Sequence, residues 1–149
     1  MSFWNSLRIS SSALNAQRLR LDLIANNIAN AETTRTASGT PFQRQDVVFS
    51  ANPGTSFLPL LIRARQDPTA NVQLGGVRAT NIVTDNTPGS RVYDPTHPDA
   101  DESGFVTYPN VNLVVEMTNM LSASRSYEAN LTTMASARRM ALRALEIGK

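Results

Sequence analysis

The clearest pattern in the chain is a run of apolar residues at helical spacing near the N-terminus. Residues 5–31 contain neither glycine nor proline, and leucine or isoleucine recurs there at seven-residue intervals. This spacing predicts one long helix with an apolar seam. Further apolar residues fall on the opposite side of the helix at about 100° per residue, so a single partner cannot cover both faces. The seam consists of Leu7, Leu14, Leu21, Ile24 and Ile28.

A second long helix is predicted at the C-terminal end. Residues 111–147 again lack glycine and proline, Asn110 or Asn112 can cap the start, and Gly148 suits the position just after the end. The opposite face of this helix carries small residues and few charges, which favours close contact with another helix. The apolar stripe consists of Leu113, Met117, Met120, Tyr127, Leu131, Met134 and Leu145.

The middle of the chain has a different composition. Residues 32–110 hold six of the seven glycines and all eight prolines. Short apolar runs at 46–49, 57–62, 77–83 and 105–108 are strand candidates separated by turn signals such as Gly75-Gly76. Residues 66–76 and 84–104 are expected to be largely irregular. The predicted fold is therefore mainly α with a β-rich insertion, divided as 1–34, 35–110 and 111–149.

Both helices have more apolar surface than one partner can bury. We expect them to pair with each other as a coiled coil through the seam and the stripe, and to meet neighbouring subunits through their second faces. The predicted intersubunit set is Leu19, Leu23, Asn26, Asn27, Asn30, Ser122, Ser126, Ala129, Thr133 and Ala137. A free-standing helical adaptor protein is the alternative that these patterns leave open.

Three asparagines stand near the end of the first helix, although asparagine is a poor helix former. Asn26 and Asn30 continue the second face, so their amides are predicted to fix the register against a neighbour by hydrogen bonding. Asn27 lies on the flank and can take part in either contact. The alternative is that Asn30 merely ends the helix.

Composition and charge exclude several classes of protein. A net charge of +2 is too small to indicate nucleic-acid binding. The absence of cysteine excludes disulfides and thiolate sites. No secretory signal is recognised at the N-terminus, and the longest apolar run has six residues, so no membrane span is predicted.

The densest polar segment is Tyr93–Glu102, which contains the only histidine. Its Asp94, His97, Asp99 and Asp101 raise the alternative of a small metal-dependent hydrolase. Two prolines stiffen the segment, and its spacing lacks the alternating ligands and central glycine of an EF-hand loop. A rigid acidic turn is the favoured interpretation, and no catalytic, metal or cofactor residue is predicted.

Two stretches resemble a known family. LRISSSALNAQRLRLDLIANNIANAETT, residues 7–34, is similar to the N-terminal signature of bacterial flagellar rod and hook proteins. VYDPTHPDADESGFVTYPNVN, residues 92–112, with the following EMTNMLSASRSYEAN, resembles the proximal-rod branch of the FlgC type. The residues of the loop that carry this resemblance are Tyr93, Asp94, Pro95, His97, Pro98, Asp99, Asp101, Tyr108, Pro109 and Asn110.

The resemblance implies a structural protein of the flagellar basal body and not an enzyme. Members pair their terminal helices into a tube around the export channel, with the insertion facing outward. The implied partners are copies of the chain, other rod subunits, rotor-ring and rod-adaptor proteins, and the flagellar type III export apparatus. The implied location is the rod, reached from the cytoplasm without a cleaved signal peptide. Another rod subunit of the same family is the nearest alternative.

Overall fold

The computed structural model describes residues 3–52 and 75–147. In the described part of the chain, two long helices, α1 at Phe3–Ala29 and α2 at Leu113–Ile147, come before and after four strands in the sequence. The strands are β1 at Gln45–Ala51, β2 at Val77–Thr84, β3 at Arg91–Tyr93 and β4 at Phe105–Thr107. The predicted mainly α fold with a small β region in the middle is confirmed.

The helix ends follow from local chemistry. The side-chain carbonyl of Asn112 accepts hydrogen bonds from the N–H groups of Val114 and Val115, at 3.1 and 3.2 Å, and so caps α2 as predicted. At the end of α1, the Asn30 side chain donates to the Asn26 carbonyl, and its own oxygen accepts from the Thr33 hydroxyl. Asn30 therefore ends α1 through hydrogen bonds to residues close to it in the sequence. The Gly148 prediction lies outside the described residues.

The strands form two small sheets, β1 with β2 and β3 with β4. β3 and β4 are antiparallel, with Val92 opposite Val106 and Tyr93 opposite Phe105. The strands predicted at 46–49, 77–83 and 105–108 are confirmed, whereas the run at 57–62 lies outside the described residues. Residues 84–104 are largely irregular, as expected, apart from the end of β2 and the strand Arg91–Tyr93, which depends on pairing with β4 and has no local signal of its own.

The chain divides into two compact units. One comprises Met1–Gln17, Phe49–Thr80 and Ser126–Lys149. Within it, the start of β2 contacts α1, where the hydroxyl of Ser12 accepts the N–H of Val77 at 3.1 Å. Gly76 has φ of +128°, and a Cβ there would lie 3.0 Å from the Ser12 hydroxyl, so a glycine permits this close approach.

The other unit comprises Arg18–Val48 and Asn81–Arg125. Its buried apolar residues are Leu23, Ile24, Val47, Val106 and Ala123. The three largest fully buried side chains described in the chain are Glu116, Val106 and Asn27. Two of these three are polar, so their polar atoms need hydrogen-bond partners inside this unit. Among the described residues, no helix is both long and apolar enough to cross a membrane.

Candidate functional site

The side chain of Asn27 is completely buried and pairs with the backbone at the start of β1. Its Oδ1 accepts the N–H of Gln45 at 2.9 Å, and its Nδ2 donates to the carbonyl of Gln45 at 2.8 Å. A primary amide can make this double bond because it carries one acceptor and a two-hydrogen donor side by side. Asn27 therefore binds the strand as the peptide group of a neighbouring strand would.

Asn27 also reaches α2. Its Nδ2 donates to Oε2 of Glu116 at 3.3 Å, and Nε of Arg44 donates to Oε1 of the same carboxylate at 2.8 Å. The side chain of Glu116 is 1% exposed and that of Arg44 is 24% exposed. The hydrogen bond to Glu116 raises the pKa of Arg44 above its ordinary value, so the guanidinium keeps its charge. Buried charges are tolerated when they are paired and hydrogen-bonded in this way.

Local structure holds Arg44 in place. It directly precedes β1, its carbonyl accepts the N–H of Asp85, and its guanidinium lies 3.6 Å from Asp46. Glu116 stands in the first turn of α2, where its N–H donates to the Asn112 carbonyl and a negative charge is favoured by the helix dipole. We call Asn27, Arg44 and Glu116 the buried polar cluster.

Sequence reasoning found Asn27 but missed Arg44 and Glu116. Asn27 was predicted to be available to a neighbouring subunit, and Leu23 likewise, yet both side chains are buried within the chain. The signal for Glu116 was present as a lone charge between Val115 and Met117 at a helix start. A charge in an apolar run of this kind indicates a buried partner.

The acidic loop, residues 94–104, is held by its own carboxylates. Oδ1 of Asp94 accepts from the N–H and the hydroxyl of Thr96, and Oδ1 of Asp101 accepts from the N–H groups of Ser103 and Phe105. These bonds lower the pKa of both carboxyl groups: that of Asp94 mainly through the Thr96 hydroxyl, and that of Asp101 mainly through the Phe105 amide. Each aspartate closes a short turn in the chain that follows it.

The remaining candidates for a metal or acid–base site are engaged separately. Asp99 accepts the hydroxyl of Thr34 at 2.7 Å, and Nδ1 of His97 accepts the N–H of Asp99 at 3.1 Å. Within the described part of the chain, no three His, Asp or Glu side chains come together in a way that could hold a metal ion. The geometry favours the interpretation of the segment as a rigid acidic turn.

The strands beneath the loop complete the motif. The rings of Tyr93 and Phe105 pack edge to face at 5.2 Å, and the guanidinium of Arg91 lies over Phe105 at 5.0 Å while it pairs with Asp101. Among the other residues of the motif, the ring of Tyr108 lies 6.5 Å from that of His97 between centres, and Asn110 contacts Asp85. Pro109 is buried, and Pro95 and Pro98 are exposed.

The predicted helix contacts remain largely open to solvent. In the seam, Ile24 is buried, and Leu7, Leu14, Leu21 and Ile28 are half-buried. On α2, the stripe residues Leu113, Met117, Leu131 and Leu145 are exposed, and Met120, Tyr127 and Met134 are half-buried. Of the intersubunit set, Asn26, Ser122, Ala129 and Thr133 are exposed, and Leu19, Asn30, Ser126 and Ala137 are half-buried. The pairing of the helices as a coiled coil stays a prediction.

Comparison with known proteins gives matches over the whole chain. Residues 7–35 match the family described as "Flagella basal body rod protein", and residues 102–147 match "Flagellar basal body rod FlgEFG protein C-terminal". The flagellar basal-body rod protein FlgC of Borreliella burgdorferi is 44% identical over 99% of this chain and 98% of its own length. The chain belongs to the FlgC family of flagellar basal-body rod proteins.

Other FlgC proteins show the same full-length correspondence. That of Bacillus subtilis is 40% identical and that of Salmonella typhimurium is 35% identical, each over 100% of both chains. The resemblance inferred from the two signature stretches is thereby confirmed. The buried polar cluster draws Asn27 from one family match and Glu116 from the other, so it joins the two matched regions.

Proposed function

We propose that this chain is a structural subunit of the proximal rod of the bacterial flagellar basal body, and not an enzyme. Its terminal helices polymerise with copies of the chain and with other rod subunits into a helical drive shaft around the export channel. It meets rotor-ring and rod-adaptor proteins at the base of the rod. It is made in the cytoplasm and leaves through the flagellar type III export apparatus without a cleaved signal peptide.

The observation that carries this proposal is the correspondence with FlgC rod proteins along the entire chain. The Borreliella, Bacillus and Salmonella proteins are each named as basal-body rod proteins, and this chain spans at least 98% of each of them. A match of this extent covers both signatures and the insertion between them. The rod assignment therefore does not rest on a shared helix pattern alone.

Exposed apolar side chains on α2 support assembly. Val114 is 73% exposed, Leu131 47% and Leu145 71%. Exposed apolar surface of this kind marks protein–protein contact sites, because its burial against a partner is favourable by roughly 25 cal/mol per Å². A subunit that touches non-equivalent surfaces on successive neighbours builds an open helical array, as a rod requires.

The predicted seam and intersubunit sets are part of the proposal, except that two residues are removed from the intersubunit set. Leu7, Leu14, Leu21, Ile24 and Ile28 face the stripe on α2 within the subunit, and the exposed small residues of α2 meet neighbours. Asn26 stays in the intersubunit set because its side chain is exposed. Asn27 and Leu23 leave that set, since both are buried in the chain.

The test is replacement of one exposed apolar residue on α2 in a flagellated host that lacks its own FlgC. Leu131→Asp should leave the helix content of the purified chain and its export unchanged, because Leu131 is exposed. Rod assembly and swimming should be lost, because Leu131 belongs to the stripe that pairs with α1 in the assembled subunit, and a charge would be buried there. Thr132→Asp, one residue away on the exposed surface, is the matched control.

Two results would contradict the proposal. If the unmodified chain fails to restore swimming and is absent from purified basal bodies, the rod function is wrong. If Leu131→Asp swims as well as Thr132→Asp, the assignment of Leu131 to a seam between α2 and α1 is wrong. A density map of the assembled rod would show directly which position the chain occupies.

A further inference from the structure

The buried polar cluster joins three segments that are far apart in the sequence. Asn27 lies 18 residues from Gln45 and 89 from Glu116, and Arg44 lies 72 residues from Glu116. The bonds connect the last two turns of α1, the start of β1 and the first turn of α2. All of these residues belong to one compact unit, so the connection is internal to that unit.

Each polar side-chain atom of Asn27 and Glu116 has a hydrogen-bond partner. Both hydrogens of the Asn27 amide are donated, one to Gln45 and one to Glu116, and its oxygen accepts the Gln45 amide. Each oxygen of Glu116 accepts a different donor. Removing any one member leaves at least one buried polar group without a partner. Such a group costs more free energy than an apolar group would at the same position.

The apolar residues around the cluster cannot define the register between the helices. They are Leu, Ile, Val and Ala, which pack against one another in several arrangements at similar energy. A slip of α2 by one turn would replace Glu116 with Asn112, Leu113, Asn119 or Met120, and none of these carries a carboxylate for Arg44. Only the observed register places a carboxylate beside the guanidinium of Arg44.

We propose that Asn27, Arg44 and Glu116 are positioning residues that fix the register of the start of α2 against the end of α1 and β1. The apolar surface supplies the stability of this unit, and the polar cluster selects one arrangement of it. A single buried asparagine sets the register of coiled coils by the same physics. This role concerns the fold of the individual chain and does not depend on the rod function.

The experiment measures the register directly. The natural chain contains no cysteine, so spin labels attach only where cysteines are introduced. Asp22→Cys on α1 and Met117→Cys on α2 are both exposed and belong to the same compact unit. Pulsed electron resonance on the full chain then gives the distribution of label-to-label distances, which should be a single narrow peak in the parent.

The main variant is Arg44→Met combined with Glu116→Met. Replacing a buried ion pair by apolar residues of similar size often preserves stability, so the urea midpoint should fall only by the cost of the one Asn27 hydrogen that loses Glu116 as its acceptor. The distance distribution should gain a second peak about 5 Å away, the rise of one helical turn. A single unshifted peak in this variant would overturn the proposal.

Asn27→Leu is the second variant and Asn26→Leu is its matched control. Both changes replace a poor helix former by a good one, but only Asn27 is buried. Asn27→Leu should broaden the distance distribution, and Asn26→Leu should not. Equal distributions in the two variants, or a parent chain without one narrow peak, would count against a register-fixing role.

Discussion

The buried polar cluster and the acidic loop are both built from polar side chains, yet they act over different distances. The cluster is enclosed, and its bonds span 18 to 89 residues. The loop is more open to solvent, and its Asp94 and Asp101 bond to groups two to four residues ahead, although Asp99 also reaches Thr34. Long-range buried bonds specify how elements meet, whereas short exposed bonds specify only the path of the chain that contains them.

The difference also decides how much each region contributes to stability. A polar group enclosed by protein loses its solvation, so the loss of its partner carries the full penalty. An exposed carboxylate that loses its partner is hydrated by solvent instead, and the change in stability is small. A carboxylate therefore has a large effect on stability in the cluster and a small one in the loop.

The largest expected effect comes from breaking the cluster at one member. Glu116→Leu leaves the charge of Arg44 and one donor of Asn27 without their partner, and should lower the free energy of unfolding by about 3 kcal/mol. Urea unfolding followed by far-ultraviolet circular dichroism measures this loss. Glu128→Leu is the control, because Glu128 is exposed on the same helix. Losses of equal size in the two variants would show that burial of Glu116 is not what matters.

An intermediate effect is expected at Gly89, which packs against the backbone that follows β4. A Cβ on Gly89 would overlap the carbonyl oxygen of Tyr108, which lies next to the β3–β4 ladder. Gly89→Ala must displace backbone, and should lower the free energy of unfolding by about 2 kcal/mol. In Gly39→Ala the new methyl group meets nothing within 4 Å, so only its φ of +80° is strained and the loss should be nearer 1 kcal/mol. Thermal unfolding of both variants compares them, and the reverse order would rule out the clash as the cause.

Local features of this fold were predictable from sequence, and the reason is that their determinants are neighbours in the chain. The absence of glycine and proline marked both helices, and the cap was predicted at Asn110 or Asn112, of which Asn112 makes the capping bonds. Strands β1, β2 and β4 each carried an apolar run of their own. β3 carried none, because its three residues are held by pairing with β4.

The cluster could not be predicted in the same way. Hydrophobic periodicity shows which face of a helix is buried, but it does not say which of the chain's thirteen arginines meets Glu116. Asn27 was placed on the flank of the helix, and either an internal or an intersubunit contact was left open, since an amide on a flank suits an internal strand as well as a neighbouring subunit; the structure buries it within the chain. A lone charge in an apolar run indicates that some partner is buried with it, but the local sequence does not identify that partner.

The smallest expected effect is a change of charge in the acidic loop. In Asp101→Asn, Oδ1 still accepts the amides of Ser103 and Phe105, and only the exposed ion pair with Arg91 is lost. Because the pKa of Asp101 is lowered in the folded chain, the stabilisation it gives is present above the ordinary value of 3.8 and is lost as pH falls through the lower folded value. The asparagine does not titrate, so the small difference between parent and variant at pH 7 should shrink on acidification.

The amide of Phe105 reports this directly, because it donates to Asp101 in the parent. Its proton chemical shift should titrate at acid pH in the parent and stay nearly flat in Asp101→Asn. Asp101→Ala, which removes the acceptor as well as the charge, should instead shift this resonance at every pH. A Phe105 titration that survives in Asp101→Asn would mean that a different carboxylate, such as Asp94, controls the loop. The acidic turn would then be one coupled unit, closer in behaviour to the buried cluster than its exposure indicates.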